Sequence, residues 1–154
     1  MRPLRVYIDT SVIGGYFDQE FEKETKLLFE KFQRKEYQLV ISDLTERELV
    51  NAPDHVRTLL KDLAIKDIEE ILVTDEIIQL ATEYIDENVV GQTSFDDCIH
   101  IATATLNRVD LLASWNFRHI VNIRRIRGYN SINLKNGYPI LEIRSPKDII
   151  DYER

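Results

Sequence analysis

Cysteine, glycine, proline and long apolar runs are all scarce in this sequence. The 154 residues include one cysteine, Cys98, which excludes an intramolecular disulfide bond and a four-cysteine zinc site. No stretch approaches the roughly 18 apolar residues of a membrane span, and the first residues lack the apolar core of a signal peptide. The five glycines and four prolines are scattered rather than gathered into a linker. These absences predict a single domain over residues 1–154, located in the cytoplasm and independent of membranes.

Basic residues are fewer than acidic ones. The sequence contains 20 lysines and arginines against 27 aspartates and glutamates, for a formal net charge of −7. A chain with this balance lacks the basic footprint that is usual for a general nucleic-acid binder. Arginines nevertheless crowd the segment 118–127, while residues 67–97 are strongly acidic. The acidic surplus is compatible with a carboxylate-rich metal site, with a basic partner or, by default, with a solvated surface.

The sequence does contain an alternation of short apolar runs and amphipathic helical patterns. Apolar, β-prone runs predict five strands, over residues 6–8, 38–41, 71–73, 111–114 and 140–143. Apolar spacing and capping residues predict helices over residues 22–32, 44–51, 56–63, 75–88 and 94–107, with short helices after Asn116 and Pro146. This alternation predicts an α/β fold with three layers, in which a central parallel sheet lies between two layers of helices. Ligands of such sheets bind at the carboxyl ends of the strands, so polar residues there are candidates for a functional site.

Two carboxylates follow the first two predicted strands. Asp9 ends the first apolar run, and on its own it is equally well explained as a cap for the following turn, together with Thr10 and Ser11. Glu48 lies in the helix after the second run and is closer than Glu46 to the apolar face of that helix. An exposed helix charge is the simpler explanation of either glutamate, but the position of Glu48 favours it as the one that points inward.

The later candidates are Asp97 and Asn116. Asp96 and Asp97 open a helix, where each acidic side chain stabilises the helix dipole by roughly 0.3–1 kcal/mol. Asp97 is turned toward apolar neighbours, where a carboxylate is costly unless a metal or a donor satisfies it, so it is favoured over Asp96 as a ligand. Asn116 is equally well explained as a helix cap and as a site residue, and one side chain can serve both purposes. A polar face of the same helix is predicted for Asp96, His100, Thr103 and Asn107.

Together, these carboxylates predict a metal site. Three carboxylates in one cleft repel each other unless a cation lies between them, and hard oxygen ligands select Mg²⁺ or Mn²⁺. Such ions suit phosphodiester hydrolysis, because they activate water and neutralise charge on the attacking and leaving oxygens, in two-metal sites about 3.5–4 Å apart.

The order of these residues resembles the PIN-domain nuclease family, especially the toxin-like members of VapBC toxin–antitoxin modules. The resemblance covers about the first 120 residues and is carried by Val6-Tyr7-Ile8-Asp9-Thr10-Ser11, Ile41-Ser42 with Glu48, Asp97-Cys98-Ile99-His100-Ile101-Ala102-Thr103-Ala104 and Ser114-Trp115-Asn116-Phe117. It implies a PIN-like α/β/α fold and endonucleolytic cleavage of RNA that depends on Mg²⁺ or Mn²⁺. By position, it implies that Asp9, Glu48 and Asp97 bind the metal. It also implies that the hydroxyl of Thr10 or Ser11 orients the first aspartate or a water on the metal.

One departure from the family concerns Asn116, since many relatives carry an acidic residue there. An amide oxygen can ligate a metal but brings no charge, so a second metal is expected to bind more weakly, and Asp96 is the residue that can compensate. Arg118, Arg124 and Arg125 are candidates for gripping the RNA backbone, although a surface ion-pair face explains any single arginine slightly better. The segment 124–154 extends beyond the resemblance and predicts only a strand and a helix.

The preferred hypothesis is a metal-dependent ribonuclease, with RNA as its substrate. The resemblance also implies an antitoxin protein as partner and a homodimer as the oligomeric state. The alternative hypothesis is a catalytically weak PIN-like module that binds RNA or a protein partner, which Asn116 and the net charge of −7 favour. A phosphotransfer or receiver-type domain also has an acidic pocket at strand ends, but it needs a lysine after a late strand, and none follows residues 111–114.

Overall fold

The computed structural model describes residues 2–152, which contain one five-stranded sheet. Its strands are β1 (Leu4–Ile8), β2 (Tyr37–Ser42), β3 (Glu69–Ile71), β4 (Leu111–Ala113) and β5 (Ile143–Arg144). Their order across the sheet is β3-β2-β1-β4-β5, and every neighbouring pair is parallel. The predicted fold class, an α/β fold with a central parallel sheet, is confirmed.

Helices connect the strands throughout residues 2–152. They are α1 (Thr10–Gly15), α2 (Glu22–Gln33), α3 (Asp43–Leu49), α4 (Asp54–Arg57), α5 (Leu59–Asp62), α6 (Asp75–Asp86), α7 (Phe95–Leu106), α8 (Ile123–Lys135) and α9 (Pro146–Tyr152). A 3₁₀ turn, Gln92–Ser94, leads into α7. Capping side chains set some of these boundaries: the Thr74 hydroxyl accepts from the Ile77 N–H at the start of α6.

The sheet separates two hydrophobic clusters, one on each face. Successive residues of β1 point to opposite sides, so Tyr7 packs with α6, α7 and α8, whereas Val6 and Ile8 pack with α1, α2 and α9. All three side chains are fully buried, as expected of a central strand covered on both faces. Burial of an aliphatic side chain contributes about 1.5–3 kcal/mol, so the two clusters hold the carboxyl end of β1 in a fixed place.

The boundaries of two edge strands differ from the prediction. The third strand covers Glu69–Ile71 instead of 71–73, because the Val73 N–H donates to the Asp43 carboxylate rather than to a neighbouring strand. The fifth strand covers Ile143–Arg144 instead of 140–143. In both cases a polar side chain from a neighbouring element takes the backbone hydrogen bond, since the Leu141 N–H donates to Asn130 Oδ1.

Helices were also predicted imperfectly. The single helix predicted over 56–63 is divided into α4 and α5, and residues 117–120 form a turn rather than a helix. The helix α8 was not predicted at all. It buries only Tyr129, Ile132 and Asn133, so its apolar stripe is too narrow to be recognised from periodicity.

The elements from β1 to α9 share one sheet and its two flanking layers of helices. The prediction of a single domain over 1–154 stays a prediction, and residues 1, 153 and 154 lie outside the described residues. Within residues 2–152, no helix is long and apolar enough to cross a membrane.

Candidate active site

The carboxyl ends of the three central strands meet at one edge of the sheet. Asp9 follows β1, Ser42 ends β2 and Ser114 follows β4. The central strand β1 pairs with β2 on one side and with β4 on the other, so the strand order reverses at β1. Such a reversal opens a crevice above the carboxyl ends, which is the usual ligand site of an open parallel sheet.

Asp9 lies at the base of this crevice and is 4% exposed. Its Oδ1 accepts a hydrogen bond from the Ser11 hydroxyl at 2.6 Å, and its Oδ2 accepts one from the Ser114 hydroxyl at 2.6 Å. Burial raises the pKa of the Asp9 carboxyl above its usual range, although the two hydroxyls oppose this shift. Asp9 occupies the N-cap position of α1, but its side chain caps no helix N–H. A capping role therefore does not explain this carboxylate.

Glu48 approaches the crevice from α3. Its Oε1 accepts hydrogen bonds from the Thr10 hydroxyl and from the imidazole Nε2 of His100, each at 2.6 Å. Burial by itself raises the pKa of Glu48, but the hydrogen bond and the charge of His100 outweigh it and lower this pKa below its usual range. The carboxyl of Glu46, the rival position, instead faces Glu70 of β3. The glutamate that points inward is thus Glu48.

Asp97 and Asn116 are joined by a hydrogen bond. The Asn116 Nδ2 donates to Asp97 Oδ2 at 3.3 Å, while its Oδ1 accepts from the backbone N–H groups of Arg118 at 3.1 Å and His119 at 2.9 Å. One asparagine therefore caps the turn after β4 and also holds the carboxylate on α7. Burial, followed by the negative charge of Asp9, raises the pKa of Asp97 to about 6.

The first turn of α7 distinguishes the two neighbouring aspartates. Asp97 is partly buried, whereas Asp96 is exposed, so the expectation that Asp96 compensates for Asn116 has no support in its position. The polar face predicted for this helix is wrong at two of its four positions. His100 is 1% exposed and Thr103 is fully buried, because α7 is packed between the sheet and the helices α6 and α8.

The predicted arginine cluster lies beyond the turn that Asn116 caps. Arg118 and Arg124 are exposed, and the Arg125 guanidinium donates to the backbone carbonyl of Val89. No ion pair with a carboxylate involves any of these three arginines among residues 2–152. The interpretation of the cluster as a surface ion-pair face is therefore not supported.

Sequence reasoning missed two residues of the crevice. Ser114 binds the Asp9 carboxylate, and His100 binds Glu48 from beneath. Both have a signal in the sequence: Ser114 is the polar residue that ends a predicted strand, and His100 is one helical turn beyond Asp97. The helical spacing of Asp96, His100, Thr103 and Asn107 instead predicts a polar face for this histidine.

The chemistry of the donors decides whether these residues suit a metal ion. Across residues 2–152, no group of three or more His, Cys, Asp or Glu side chains is arranged closely enough to hold one. Each carboxylate is oriented by its own protein donors. The charges of Asp9 and Glu48 nevertheless both raise the pKa of Asp97, a repulsion that a cation relieves. Carboxylate oxygens are also the donors that Mg²⁺ and Mn²⁺ prefer. The chemistry of these residues therefore suits a hard divalent cation, whereas their spacing within residues 2–152 is wider than a bound ion requires.

Comparison with known families gives an independent finding. The sequence matches the PIN domain family over residues 6–120, which is more than half of its 154 residues. The matched span begins in β1 and ends after β4, so it includes Asp9, Glu48, Asp97 and Asn116. Among curated proteins, comparison finds no match to this sequence.

Solved structures with a similar fold include toxin–antitoxin proteins. A toxin–antitoxin complex from Klebsiella pneumoniae is 23% identical, with a TM-score of 0.54 over 73% of this chain and 88% of that chain. The Sarcin-Ricin loop cleaving toxin VapC20 from Mycobacterium tuberculosis is 16% identical, with a TM-score of 0.56 over 73% and 91%. VapBC2 from Rickettsia felis, bound to a DNA fragment from its promoter, is 13% identical, with a TM-score of 0.55 over 92% and 98%. At these identities the likeness establishes the fold.

Proposed function

The chain belongs to the PIN domain family, and from this premise we propose that it is a metal-dependent endoribonuclease. One observation carries the proposal: Asp9 after β1, Glu48 on α3 and Asp97 on α7 lie at the carboxyl ends of the central strands, where each accepts a hydrogen bond from a neighbouring side chain of the site. A cluster of this kind is costly in a folded protein unless it binds a cation. Hydrolysis of RNA phosphodiester bonds is the reaction that such a cation and such a fold support best.

The three carboxylates have the role of metal ligands in this proposal. Asp9, Glu48 and Asp97 would hold Mg²⁺ or Mn²⁺, and this ion would supply positive charge to the phosphodiester and activate a water molecule. Asn116 acts by orienting Asp97, because its amide oxygen already accepts two backbone N–H groups. The neutral Asn116 adds no charge, so a single tightly held ion is expected.

Two hydroxyls beside the first aspartate have orienting roles. Ser11 holds Asp9 from one side: its hydroxyl donates to Asp9 Oδ1 and accepts a hydrogen bond from the Trp115 N–H at 2.9 Å. Thr10 donates to Glu48 across the crevice. The first turn of α1 thereby ties the carboxylates of β1 and α3 to one rigid element, which is the preorganisation that hydrolysis requires.

The arginine cluster supplies the contact with the RNA backbone. Arg118 is exposed, has no ion-pair partner among residues 2–152, and follows directly on the turn capped by Asn116. A guanidinium in this position can bind a phosphate in bidentate fashion. Arg124 and Arg125, at the start of α8, extend the same basic segment.

Replacement of Arg118 by alanine is expected to weaken RNA binding and its dependence on salt. Loss of one phosphate contact lowers the slope of log affinity against log salt concentration by about 1. Affinity for labelled single-stranded RNA, measured between low and moderate salt, checks this. The matched control is Arg34→Ala, since Arg34 is an exposed arginine just before β2, at the opposite edge of the sheet. Equal slopes for the two variants would remove Arg118 from the RNA site.

The proposed partners follow from the same family assignment. The similar solved structures include a toxin–antitoxin complex and VapBC2, which supports an antitoxin protein as the partner of this chain and the cytoplasm as its location. We also propose a homodimer. Light scattering of the purified chain, alone and with the product of an adjacent small reading frame, tests both proposals.

The experiment that tests the proposed function is removal and return of the metal. Labelled single-stranded RNA is incubated with the purified protein, with an EDTA-treated sample and with that sample after addition of Mn²⁺ or Mg²⁺. Cleavage is expected to cease with EDTA and to return with either ion. Cleavage that persists after chelation would exclude a metal-dependent reaction.

A second candidate function is favoured by one observation, the amide at position 116. A PIN-like module that binds RNA or protein without efficient cleavage would keep the fold and the arginine cluster. It would have a neutral amide, Asn116, beside Asp97 instead of a further carboxylate. Metal-independent RNA binding by a folded protein, with no cleavage of any tested RNA, would identify this function.

A further inference from the structure

A chain of hydrogen bonds runs through the core beneath the crevice. The Ser42 hydroxyl lies 2.8 Å from the Tyr7 hydroxyl, and this hydroxyl lies 2.6 Å from His100 Nδ1. The other ring nitrogen of His100, Nε2, lies 2.6 Å from Glu48 Oε1. Tyr7 and Ser42 are fully buried and His100 is 1% exposed, so the chain links Glu48 to the interior and not to solvent.

Because Glu48 is a carboxylate, the position of one proton in this series of hydrogen bonds is determined. An ionised carboxylate can only accept a hydrogen bond, so His100 must donate to Glu48 through Nε2–H. The opposite nitrogen, Nδ1, is held by the Tyr7 hydroxyl at 2.6 Å. Bonds at both nitrogens fix the rotation of the imidazole ring, as they do for histidines that support metal ligands.

Buried polar groups at these positions have a cost that requires an explanation. A phenylalanine and a leucine would fill the same space between β1 and α7 without the need to satisfy a hydroxyl and an imidazole. The arrangement delivers a donor to one particular atom. His100 and Thr10 both bind Glu48 Oε1, whereas Oε2 accepts from no residue between 2 and 152.

We propose that His100, braced by Tyr7, is a positioning residue that holds Glu48 with Oε2 presented to the divalent cation. This inference rests on the proposed function, because it assigns Glu48 a ligand role. His100 acts through Glu48 and touches neither the cation nor the RNA. The interaction fixes one rotamer of a glutamate whose side chain is 28% exposed and would otherwise sample several.

Two substitutions of His100 separate positioning from packing. His100→Gln keeps an amide donor near the place of Nε2, whereas His100→Leu fills the space without a donor. Titration calorimetry with Mn²⁺ is expected to show a loss of affinity of about 10–100-fold for the leucine variant, the usual effect of removing a hydrogen bond to a ligand. The glutamine variant is expected to recover most of this loss, and RNA cleavage should follow the same order. Thermal unfolding confirms that both variants are folded.

A measurement without metal tests the hydrogen bond itself. In ¹⁵N-labelled, metal-free protein, the His100 Nε2–H should give a ring proton signal that exchanges slowly, and Glu48→Gln should shift it.

The proposal would be overturned if folded His100→Leu protein bound Mn²⁺ as tightly as the wild type does. It would also be overturned if His100→Gln bound Mn²⁺ no better than His100→Leu. Wild-type protein that binds Mn²⁺ without cleaving RNA would refute the proposed function and leave the positioning role standing. Absence of Mn²⁺ binding by the wild type would overturn both.

Discussion

Replacement of Asp97 by asparagine is expected to slow metal-dependent RNA cleavage by on the order of 10³-fold, equivalent to about 4 kcal/mol in the activation free energy. The reason is the loss of one of three carboxylates that hold the cation. The same substitution is expected to raise the thermal stability of the metal-free protein. Burial and the charge of Asp9 raise the pKa of Asp97 to about 6, so its ionised form destabilises the folded state at neutral pH.

The dependence of this stability gain on pH follows from the direction of the shift. A carboxyl whose pKa is higher in the folded protein than in the unfolded chain binds more protons when folded, so acidification stabilises the fold. The penalty from Asp97 is complete above about pH 7, shrinks as the pH falls through about 6 and disappears below about 4. The difference in melting temperature between Asp97→Asn and the wild type should therefore be largest at pH 7 to 8 and approach zero near pH 4.

Differential scanning fluorimetry in EDTA, over this pH range, measures the stability difference. The matched control is Asp86→Asn, which removes the same charge from an exposed position at the end of α6. It should cleave RNA as the wild type does and show little change in melting temperature with pH. Normal RNA cleavage by Asp97→Asn would show that Asp97 is not part of the site. A melting temperature that does not rise with this substitution at neutral pH would show that the ionised Asp97 does not destabilise the fold.

Replacement of Trp115 by alanine is expected to cost about 3–5 kcal/mol of folding free energy, the range for removing a large aromatic side chain from a core. Trp115 stacks on Phe21 with ring centroids 4.2 Å apart, and its Nε1–H donates to the buried Thr25 hydroxyl at 2.8 Å. The packing around it is close, since a Cβ on Gly15 would lie 2.7 Å from the indole ring. Loss of the ring leaves a cavity and removes the donor to the Thr25 hydroxyl, which keeps only its own bond to the Phe21 carbonyl.

This substitution should also affect the site, because Trp115 lies between Ser114 and Asn116. Its backbone N–H donates to the Ser11 hydroxyl that holds Asp9, so a looser segment is expected to slow cleavage as well. Urea unfolding compares Trp115→Ala with Trp115→Phe, which keeps a ring but lacks the N–H and should lose less. Phe117→Ala is the control, since Phe117 is 50% exposed on the same segment. A smaller loss at Trp115 than at Phe117 would contradict the structural role of this residue.

Much of the fold could be predicted from local patterns. The runs that form β1, β2 and β4 are apolar on both faces, as central parallel strands must be, and the helices α2, α6 and α7 carry wide apolar stripes. Errors gathered where the pattern is weak. The helix α8 buries three residues among many charged ones, and the two edge strands end where the side chains of Asp43 and Asn130 take their backbone N–H groups.

The candidate site was partly predictable for a related reason. Polar residues directly after buried strands stand out against an apolar run, so Asp9 and Asn116 could be identified by position alone, and Asp97 by the apolar neighbours of its helix. Whether Asp9 is a cap and whether Glu46 or Glu48 points inward stayed open. Those questions concern the rotation of a side chain, which depends on partners that are distant in sequence.

The sequence by itself determined the α/β class, the positions of the acidic residues and the family, because periodicity and spacing are local properties of a chain. Only the tertiary structure decided what each of these residues touches. Asp9 meets Ser114 across 105 residues, Glu48 meets His100 across 52, and Tyr7 meets His100 across 93. Such pairs arise from the reversal of strand order at β1, where parallel strands far apart in the chain bring their carboxyl ends to one edge.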